Sequence, residues 1–310
     1  MKKLISVLII LVVIFFTAVY FLIPATKTGS QHTLVTSNYN ATMRLIINKN
    51  KWTNWWPGEK TSDATYQFKN CRYRVDEILL NGFIATVFYG DDSAKVNLQI
   101  SVNSPDSSDF VWNYSILMPK NPTKKLTAYF NSNKLAENIN ELSVALKNYF
   151  DKQENVYGMK IERKMVTDST LVSYKKIFDH YPSTEEIYTM ITAVKDFIQK
   201  NNGEEANYPM LNVHINGVKE FETMVGIPTK TPLIPTGDFV VKRMVLGYIL
   251  VGEVKGGVNT VREAETQMNN YALEHNKLSP AIPFQSLITD RMMEKDSTKW
   301  ITKLYYPIFY

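Results

Sequence analysis

The sequence is poor in residues that form cross-links or bind metal ions. Cys71 is the single cysteine among 310 residues, which excludes an intramolecular disulfide and a zinc site built from cysteines. The four histidines are scattered, and no pair has the spacing of metal ligands. We therefore predict that the chain has no metal site.

Catalytic and phosphate-binding motifs are also missing from the sequence. It contains no Gly-x-Ser-x-Gly elbow and no glycine-rich phosphate loop. The net charge of +5 is too weak and too dispersed to favour a nucleic-acid partner. We predict no catalytic residue, no cofactor and no nucleic acid, in a chain whose 45% hydrophobic content is typical of globular proteins.

The longest apolar run, from Leu4 to Ile23, contains neither a charge nor a proline. Roughly twenty such residues suffice for a helix to cross a bilayer. The run is too long for the apolar core of a signal peptide, and no convincing small-x-small cleavage site follows it. We predict a retained anchor, with a cleaved signal peptide as the alternative.

The orientation of this anchor follows from the flanking charges. Lys2 and Lys3 precede the run, and Lys27 is the only nearby cation after it. Positive charge stays on the cytoplasmic side of a membrane helix. We therefore predict a single-pass protein of the inner (cytoplasmic) membrane, with the N-terminus inside and the soluble domains extracytoplasmic.

Residues 65–130 alternate between apolar and polar types with the period of two that strands require. Asn81-Gly82 is a strong hairpin motif within this stretch. The segments 110–116 and 126–130 are predicted to be its last two strands. From Asn133 to Phe150 the apolar residues then recur at helical spacing, which predicts a long amphipathic helix.

Three tryptophans, Trp52, Trp55 and Trp56, lie between the first predicted strand and this meander. A membrane-interface role is one interpretation, and a core cluster is the one we favour. With Trp-x-x-Trp-Trp-Pro at this position, residues 30–151 resemble the START-like (SRPBCC, helix-grip) superfamily. The resemblance implies an apolar ligand cavity between sheet and helix, for which Trp112 and Tyr114 are the candidate contacts.

The charged segment from Asp151 to Asn155 is the predicted domain boundary. We predict an anchor at 1–27, a START-like domain at 28–152 and a second domain at 153–310. In the second domain the order strand-strand-helix-strand-strand occurs twice. One antiparallel sheet with both helices on one face is the expected packing, so the fold class is α+β.

From Lys160 onward the chain resembles the GyrI-like effector-binding domain. The resemblance is carried by residues 247–257, by Pro283-Phe284-Gln285 and by the terminal segment 300–308. It implies a groove for small amphipathic molecules, often cationic ones, with a buried glutamate. Here Lys303 occupies the glutamate position. The candidate ligand contacts in this groove are Tyr174, Glu253, Phe284, Lys303 and Tyr305.

These features favour a membrane-anchored, non-catalytic binding protein for a small amphipathic ligand. One alternative is a hydrolase, with Glu253 as base and Tyr174 or Tyr305 as hydrogen-bond donor. Another is a scaffold subunit of an envelope complex with both cavities packed shut. If Lys303 faces the ligand, the groove should prefer an anionic or neutral amphipath, whereas a lysine at the rim would leave it neutral.

Overall fold

The computed structural model describes residues 2–167, 169–217, 219–279 and 281–309, with only the backbone of residues 2 and 3. The chain divides into two compact units, Met1–Val156 and Tyr157–Tyr310. The predicted independence of two domains meeting near Lys152 stays a prediction. Both units are antiparallel sheets with helical cover, so the α+β fold class is confirmed.

Within its described residues, the first unit has four α-helices ahead of the boundary segment and seven strands. The helices are α1 (Lys2–Leu22), α2 (Tyr39–Ile46), α3 (Trp52–Trp55) and α4 (Pro122–Phe150). The strands are β1 (Thr26–Val35), β2 (Glu59–Ser62), β3 (Thr65–Phe68), β4 (Cys71–Leu79), β5 (Gly82–Tyr89), β6 (Asp92–Ser104) and β7 (Ser107–Leu117). They form one sheet in the order β1-β7-β6-β5-β4-β3-β2, in which the first strand pairs with the last.

Helix α4 lies in the concave side of this sheet. Leu135, Ile139, Leu142 and Leu146 are fully buried at a spacing of three or four residues, as the helical pattern predicted. The inward residues of the strands meet them from the other side. The predicted sheet around a long C-terminal helix is therefore present.

The beginning of α4 corrects the sequence analysis. The predicted strand at 126–130 is wrong, because the helix begins at Pro122. The Asn121 side chain accepts hydrogen bonds from the amides of Thr123 and Lys124, and proline is favoured at the first helical position. Phe130, read as a strand residue, is 61% exposed on the helix surface.

The three tryptophans belong to the core of the first unit. Trp52 and Trp55 are each 1% exposed, and their rings lie 4.7 Å apart. The indole N–H of Trp52 donates to the Ile46 carbonyl at 2.7 Å, and that of Trp55 donates to the Leu45 carbonyl at 3.2 Å. The core interpretation was right, and the cluster closes one end of the interior.

Helix α5 (Gln153–Tyr157) leads into the second unit, whose described residues form two further α-helices and eight strands. The helices are α6 (Thr184–Lys200) and α7 (Val258–Glu274). The strands are β8 (Ile161–Met165), β9 (Thr170–Phe178), β10 (Met210–Asn216), β11 (Glu220–Thr229), β12 (Phe239–Arg243), β13 (Tyr248–Lys255), β14 (Phe284–Leu287) and β15 (Ile301–Ile308).

The predicted duplication is present, and the two copies exchange their first strands. The sheet order is β12-β9-β11-β10-β14-β15-β13-β8. Thus β8, the first strand of copy one, pairs with β13 of copy two, and β12 pairs with β9 in the same way. The halves join through β10 and β14, where Met210 is opposite Ser286 and Leu211 is opposite Gln285.

Both helices cover the same face of this sheet. Helix α6 begins with the predicted capping box of Ser183 and Glu186 and packs on Val172 and Val225. Helix α7 approaches β13 closely at Gly252, where an added Cβ would lie 2.9 Å from the Met268 methyl carbon. The opposite face of the sheet has no helix on it among the described residues.

Candidate ligand-binding groove

Strand alternation decides which residues of the second unit face away from the helices. Tyr306 faces α7, since its hydroxyl lies 3.3 Å from Asn269 Oδ1. Its neighbours Tyr305 and Pro307 therefore point to the open face. On β13, Ile249 lies on that face as well.

Two hollows lie on the open face, with volumes of about 250 and 740 Å³. We call the pair the groove, because the hollows share their central wall. The shared lining residues are Val166, Met210, Arg243, Met244, Ile249 and Phe284. The groove thus runs along the line where the two copies of the duplication meet.

The two hollows differ in polarity. The smaller one is mainly apolar and includes Met210, Met224 and Met244 in its wall. Methionine side chains are flexible and polarisable, so such a wall adapts to ligands of different shape. The larger hollow adds hydroxyl and amide side chains, among them Thr170 and Asn207. The groove is therefore amphipathic along its length.

The charged residues that line the groove are cations. They are Lys164, Lys230, Lys242 and Arg243, and no carboxylate lines it within the described ranges. Some of this charge is compensated outside the groove: Lys164 Nζ lies 3.1 Å from a Glu162 oxygen, and Lys230 pairs with Glu204. Lys242 Nζ instead lies 3.0 Å from the Met224 sulfur.

Phe284 and Tyr305 form the flat aromatic part of the wall. Their rings stack with centroids 4.8 Å apart and an interplanar angle of 9°. The residues are opposite each other in the register of β14 and β15. These two candidates from the sequence are thus brought together in the groove.

Glu253 and Lys303 lie beyond the edge of the groove. They are opposite each other on β13 and β15, and their charged atoms are 3.6 Å apart. Their side chains are 57% and 38% exposed, and neither lines the two hollows. Lys303 shares a sheet face with Tyr305, as the alternation predicted, but Glu253 partly neutralises it.

Tyr174 lies on the opposite, helix-covered face. Leu171 of the same strand lines the groove, and a residue an odd number of positions away points to the other side. The Tyr174 ring packs 5.5 Å from Phe239 in the core beneath α6. It therefore does not meet Glu253 or the groove.

Trp112 and Tyr114 belong to the first unit. Trp112 is fully buried, with its ring edge-to-face against Phe83 at 5.9 Å. Its indole nitrogen is buried and has no hydrogen-bond partner among the described residues. Tyr114 lies over Gly29, where an added Cβ would be 2.2 Å from the ring. Around Trp112, the predicted cavity is thus occupied by side chains.

The sequence analysis missed the methionines and cations of the groove. In the sequence, Met210, Met224 and Lys242 resemble ordinary strand residues, because no motif marks any of them. Knowledge that β9, β10 and β11 are neighbours would have placed Met210 and Met224 on one face. That pairing is long-range and is not encoded in local spacing.

A polar cluster lies on the helix-covered side. Gln285 Nε2 donates to a Glu265 carboxylate oxygen at 2.9 Å, and the Arg262 guanidinium lies 4.6 Å from the Tyr181 ring centre. Glu265 is exposed along part of its surface. The protein around its carboxyl nevertheless raises the pKa by desolvation, against the opposing effects of Gln285 and Arg262.

No family model matches the chain, and no curated protein matches it significantly. Among solved structures, it is similar to the C-terminal domain of EcmrR at 13% identity, covering 48% of this chain and 97% of that chain, with a TM-score of 0.43. A hydrolase from Listeria innocua matches at 12% identity over 48% and 91% of the two chains, with a TM-score of 0.38. A protein bound to tetraphenylphosphonium matches at 16% identity over 48% and 94%, with a TM-score of 0.32.

Proposed function

We propose that this chain is a membrane-anchored, non-catalytic binding protein that holds a small amphipathic molecule in the groove of its second unit. The observation that carries the proposal is the continuity of an apolar hollow with a larger polar one. Ligand sites are typically concave and mainly apolar, with a few polar groups that fix orientation. The proposal includes two family assignments. The second unit is a GyrI-like domain, and the first unit is a member of the START-like superfamily.

The lining divides the expected ligand into two parts. An apolar portion fits between the methionines and the stacked pair of Phe284 and Tyr305. A polar head group fits the larger hollow, where hydroxyl and amide side chains offer hydrogen bonds. The cations of the wall favour a head group that is anionic or neutral, because an unpaired positive ligand charge beside them would be costly.

The anchor completes the proposal. The run Leu4–Leu22 has a mean hydropathy of 3.0, and only 6% of it is buried within the protein. An apolar helix with this exposure is expected to contact lipid. We propose that it is retained with the N-terminus inside, so that both units are extracytoplasmic, and the argument from Lys2 and Lys3 supports this orientation.

A scaffold role is the second candidate, and the filled interior of the first unit favours it for that unit. The hydrolase alternative has less geometric support. Its proposed base Glu253 is engaged by Lys303, and Tyr174 is on the other face of the sheet. Tyr305 stacks on Phe284 and lies on the same face as Glu253.

The test is native mass spectrometry of the full chain released from nanodiscs, followed by solvent extraction of any retained molecule. Titrations with a naphthalene sulfonate and with an ammonium probe of matched size then compare head-group charge. We expect a retained amphipath or tighter binding of the sulfonate. Absence of both a retained molecule and probe binding would favour the scaffold, and turnover of ester probes would favour the hydrolase.

A further inference from the structure

The anchor joins the first unit without a flexible linker. Helix α1 ends at Leu22 and strand β1 begins at Thr26, so three residues separate them. The Met118 amide donates to the carbonyl of Ala25, within this connection, at 2.9 Å. Thr26 is then opposite Leu117 in the register of β1 and β7.

Lys125 fixes the end of α1 to the beginning of α4. Its side chain is only 6% exposed, and Nζ donates to the Tyr20 carbonyl at 2.8 Å. The ammonium also lies 5.0 Å from the Tyr20 ring centre. Carbonyls in the last turn of a helix lack partners within the helix and carry partial negative charge, which a lysine satisfies.

Contacts along α4 show in which direction it leaves the anchor. Near its beginning, Lys125 meets Tyr20. Further along, Lys27 Nζ lies 2.6 Å from the Asn133 side-chain oxygen. Near its end, Lys147 Nζ donates to the Leu34 carbonyl at 2.7 Å. Helix α4 therefore starts level with the last turn of α1 and runs beside β1 away from it.

The length of α1 indicates how deep its last turn, and the start of α4 beside it, lie in a bilayer. The 19 residues from Leu4 to Leu22 span about 28 Å at 1.5 Å per residue, close to the roughly 30 Å of hydrocarbon in a membrane. The whole run is needed to cross, so Tyr20 and Leu22 lie near the outer boundary. The first turn of α4, which is level with Tyr20, then lies at the depth of the lipid head groups.

Four exposed residues lie at the end of β7, in its connection to α4 and on the first part of α4, and we call them the rim: Leu117, Lys120, Lys124 and Phe130. Leu117 is 78% exposed and Phe130 is 61% exposed, and both lysines are exposed. No aspartate or glutamate occurs between residues 110 and 136, and the carboxylate of Asp92, from the start of β6, accepts a hydrogen bond from the Asn131 side-chain amide at 2.7 Å. The rim is therefore apolar and cationic, as surfaces that contact anionic membranes are.

We propose that the rim lies in the head-group layer of the outer leaflet. Leu117 and Phe130 enter the interface, and Lys120 and Lys124 pair with the phosphates of anionic phospholipids. The inference rests on the proposed anchor and extends it: the first unit is held against the membrane in one orientation instead of moving on a tether. The partner is the lipid surface itself.

The test uses the full chain in nanodiscs with single cysteines for an environment-sensitive label. Leu117→Cys and Phe130→Cys report on the rim, and Val102→Cys is the control. Val102 is 64% exposed and lies at the other end of the sheet, about 30 Å away over the length of β1. The native Cys71 is 1% exposed, and burial raises its pKa to about 11, so it does not take up the label.

Phospholipids with a nitroxide in the head group should quench labels at 117 and 130 several-fold more than the label at 102. In discs with phosphatidylglycerol, the double change Lys120→Gln and Lys124→Gln should lower quenching at 117 by about twofold, and in phosphatidylcholine alone it should have little effect. Lys49→Gln with Lys51→Gln is the matched control, because these lysines lie in the connection between α2 and α3.

The outcomes separate the two proposals. Failure of the chain to enter nanodiscs would overturn the anchor and the proposed function with it. Entry with equal quenching at 117 and 102 would overturn the rim and leave the anchor standing. Strong quenching at 117 that neither phosphatidylglycerol nor the lysine changes affect would overturn the pairing of the lysines with phosphates.

Discussion

Both units consist of an antiparallel sheet with helices, and they differ in what lies against the faces of the sheet. In the first unit the concave face is filled from both sides: Trp52, Phe83, Phe110 and Trp112 point inward from the sheet and short helices, and α4 covers them. In the second unit α6 and α7 cover one face of the sheet, and the groove occupies the other. The first face is a core and the second is a surface with a hollow.

A ligand site in such folds therefore depends on the volume of the side chains that face it and on whether a helix covers it. Large aromatic rings fill the space that a sheet curled around a helix would otherwise enclose. The groove exists because two half-sheets meet without a helix over the junction. Alternating aromatic residues therefore occur in both settings: Trp112 lies in a filled interior, and Tyr305 lies in the wall of an open groove.

The largest effect is expected from emptying the filled unit. Trp55→Ala removes a side chain that is 1% exposed and contacts both Trp52 and Phe150. We expect it to lower the free energy of unfolding by about 3–5 kcal/mol. Hydrogen exchange with peptide resolution should show lost protection in residues 28–150.

If the units fold independently, protection in the second unit stays unchanged. Loss of protection across both units would contradict two separate domains and weaken the contrast between them. Leu80→Ala is the control, because Leu80 is 96% exposed and its removal should change stability by less than about 0.5 kcal/mol.

The next effect concerns the open face. Met210→Trp places a bulky ring where the two hollows meet and should reduce binding of an apolar anionic probe by about tenfold or more. Fluorescence titration measures the change. Met293→Trp is the control, since Met293 is 83% exposed and lines neither hollow. Equal affinities of the two variants would mean that probes bind elsewhere.

Local pattern predicted much of this architecture; it failed once for a local reason and once because long-range pairing decides the outcome. The capping box of α6, the stripe of α4 and the duplicated strand order follow from neighbours in sequence. The segment 126–130 failed, because a short alternating run fits a helix as well when Asn121 and Pro122 start one. Tyr174 differed from expectation for another reason. Which side chains of a strand point into the groove depends on the register of that strand in the whole sheet.

The same limit applies to Lys303. Its position on the face of Tyr305 follows from alternation, but its partner is set by the register of β13 and β15. Sequence alone offered Glu253 and Lys303 as separate ligand contacts. The structure places them together as an ion pair at the edge of the groove.

A smaller effect is expected from reversing this charge. Lys303→Glu puts a second carboxylate opposite Glu253, which should shift the preference of the groove toward cationic probes by about threefold, since both positions are partly exposed and screened. Matched anionic and cationic amphipaths titrated at low and physiological salt measure the shift. Lys200→Glu, at the exposed end of α6, controls for net charge. Identical shifts in both variants would show that Lys303 has no local influence on the groove.

The smallest effect concerns a partly exposed carboxyl on the helix-covered side of the second unit, in contrast to the buried interior of the first. Glu265, on α7 beside Gln285, has a pKa raised chiefly by desolvation. A carboxyl whose pKa is higher in the folded state favours folding in its protonated form. Its contribution is fully present below the ordinary value of 4.5 and is lost as the pH rises through the folded pKa.

At neutral pH the ionised Glu265 should therefore cost stability. Glu265→Gln removes the charge and keeps an acceptor for the Gln285 amide, so we expect it to stabilise the chain at pH 7 by less than about 1 kcal/mol, because solvent reaches part of the side chain. The gain should vanish near pH 4, where the wild-type carboxyl is itself largely protonated. Urea unfolding at both pH values measures it, with Glu263→Gln, exposed on the same helix, as the control. A gain that is equal at both pH values, or shared by the control, would mean that the ionised Glu265 carboxyl does not lower the stability of the folded chain.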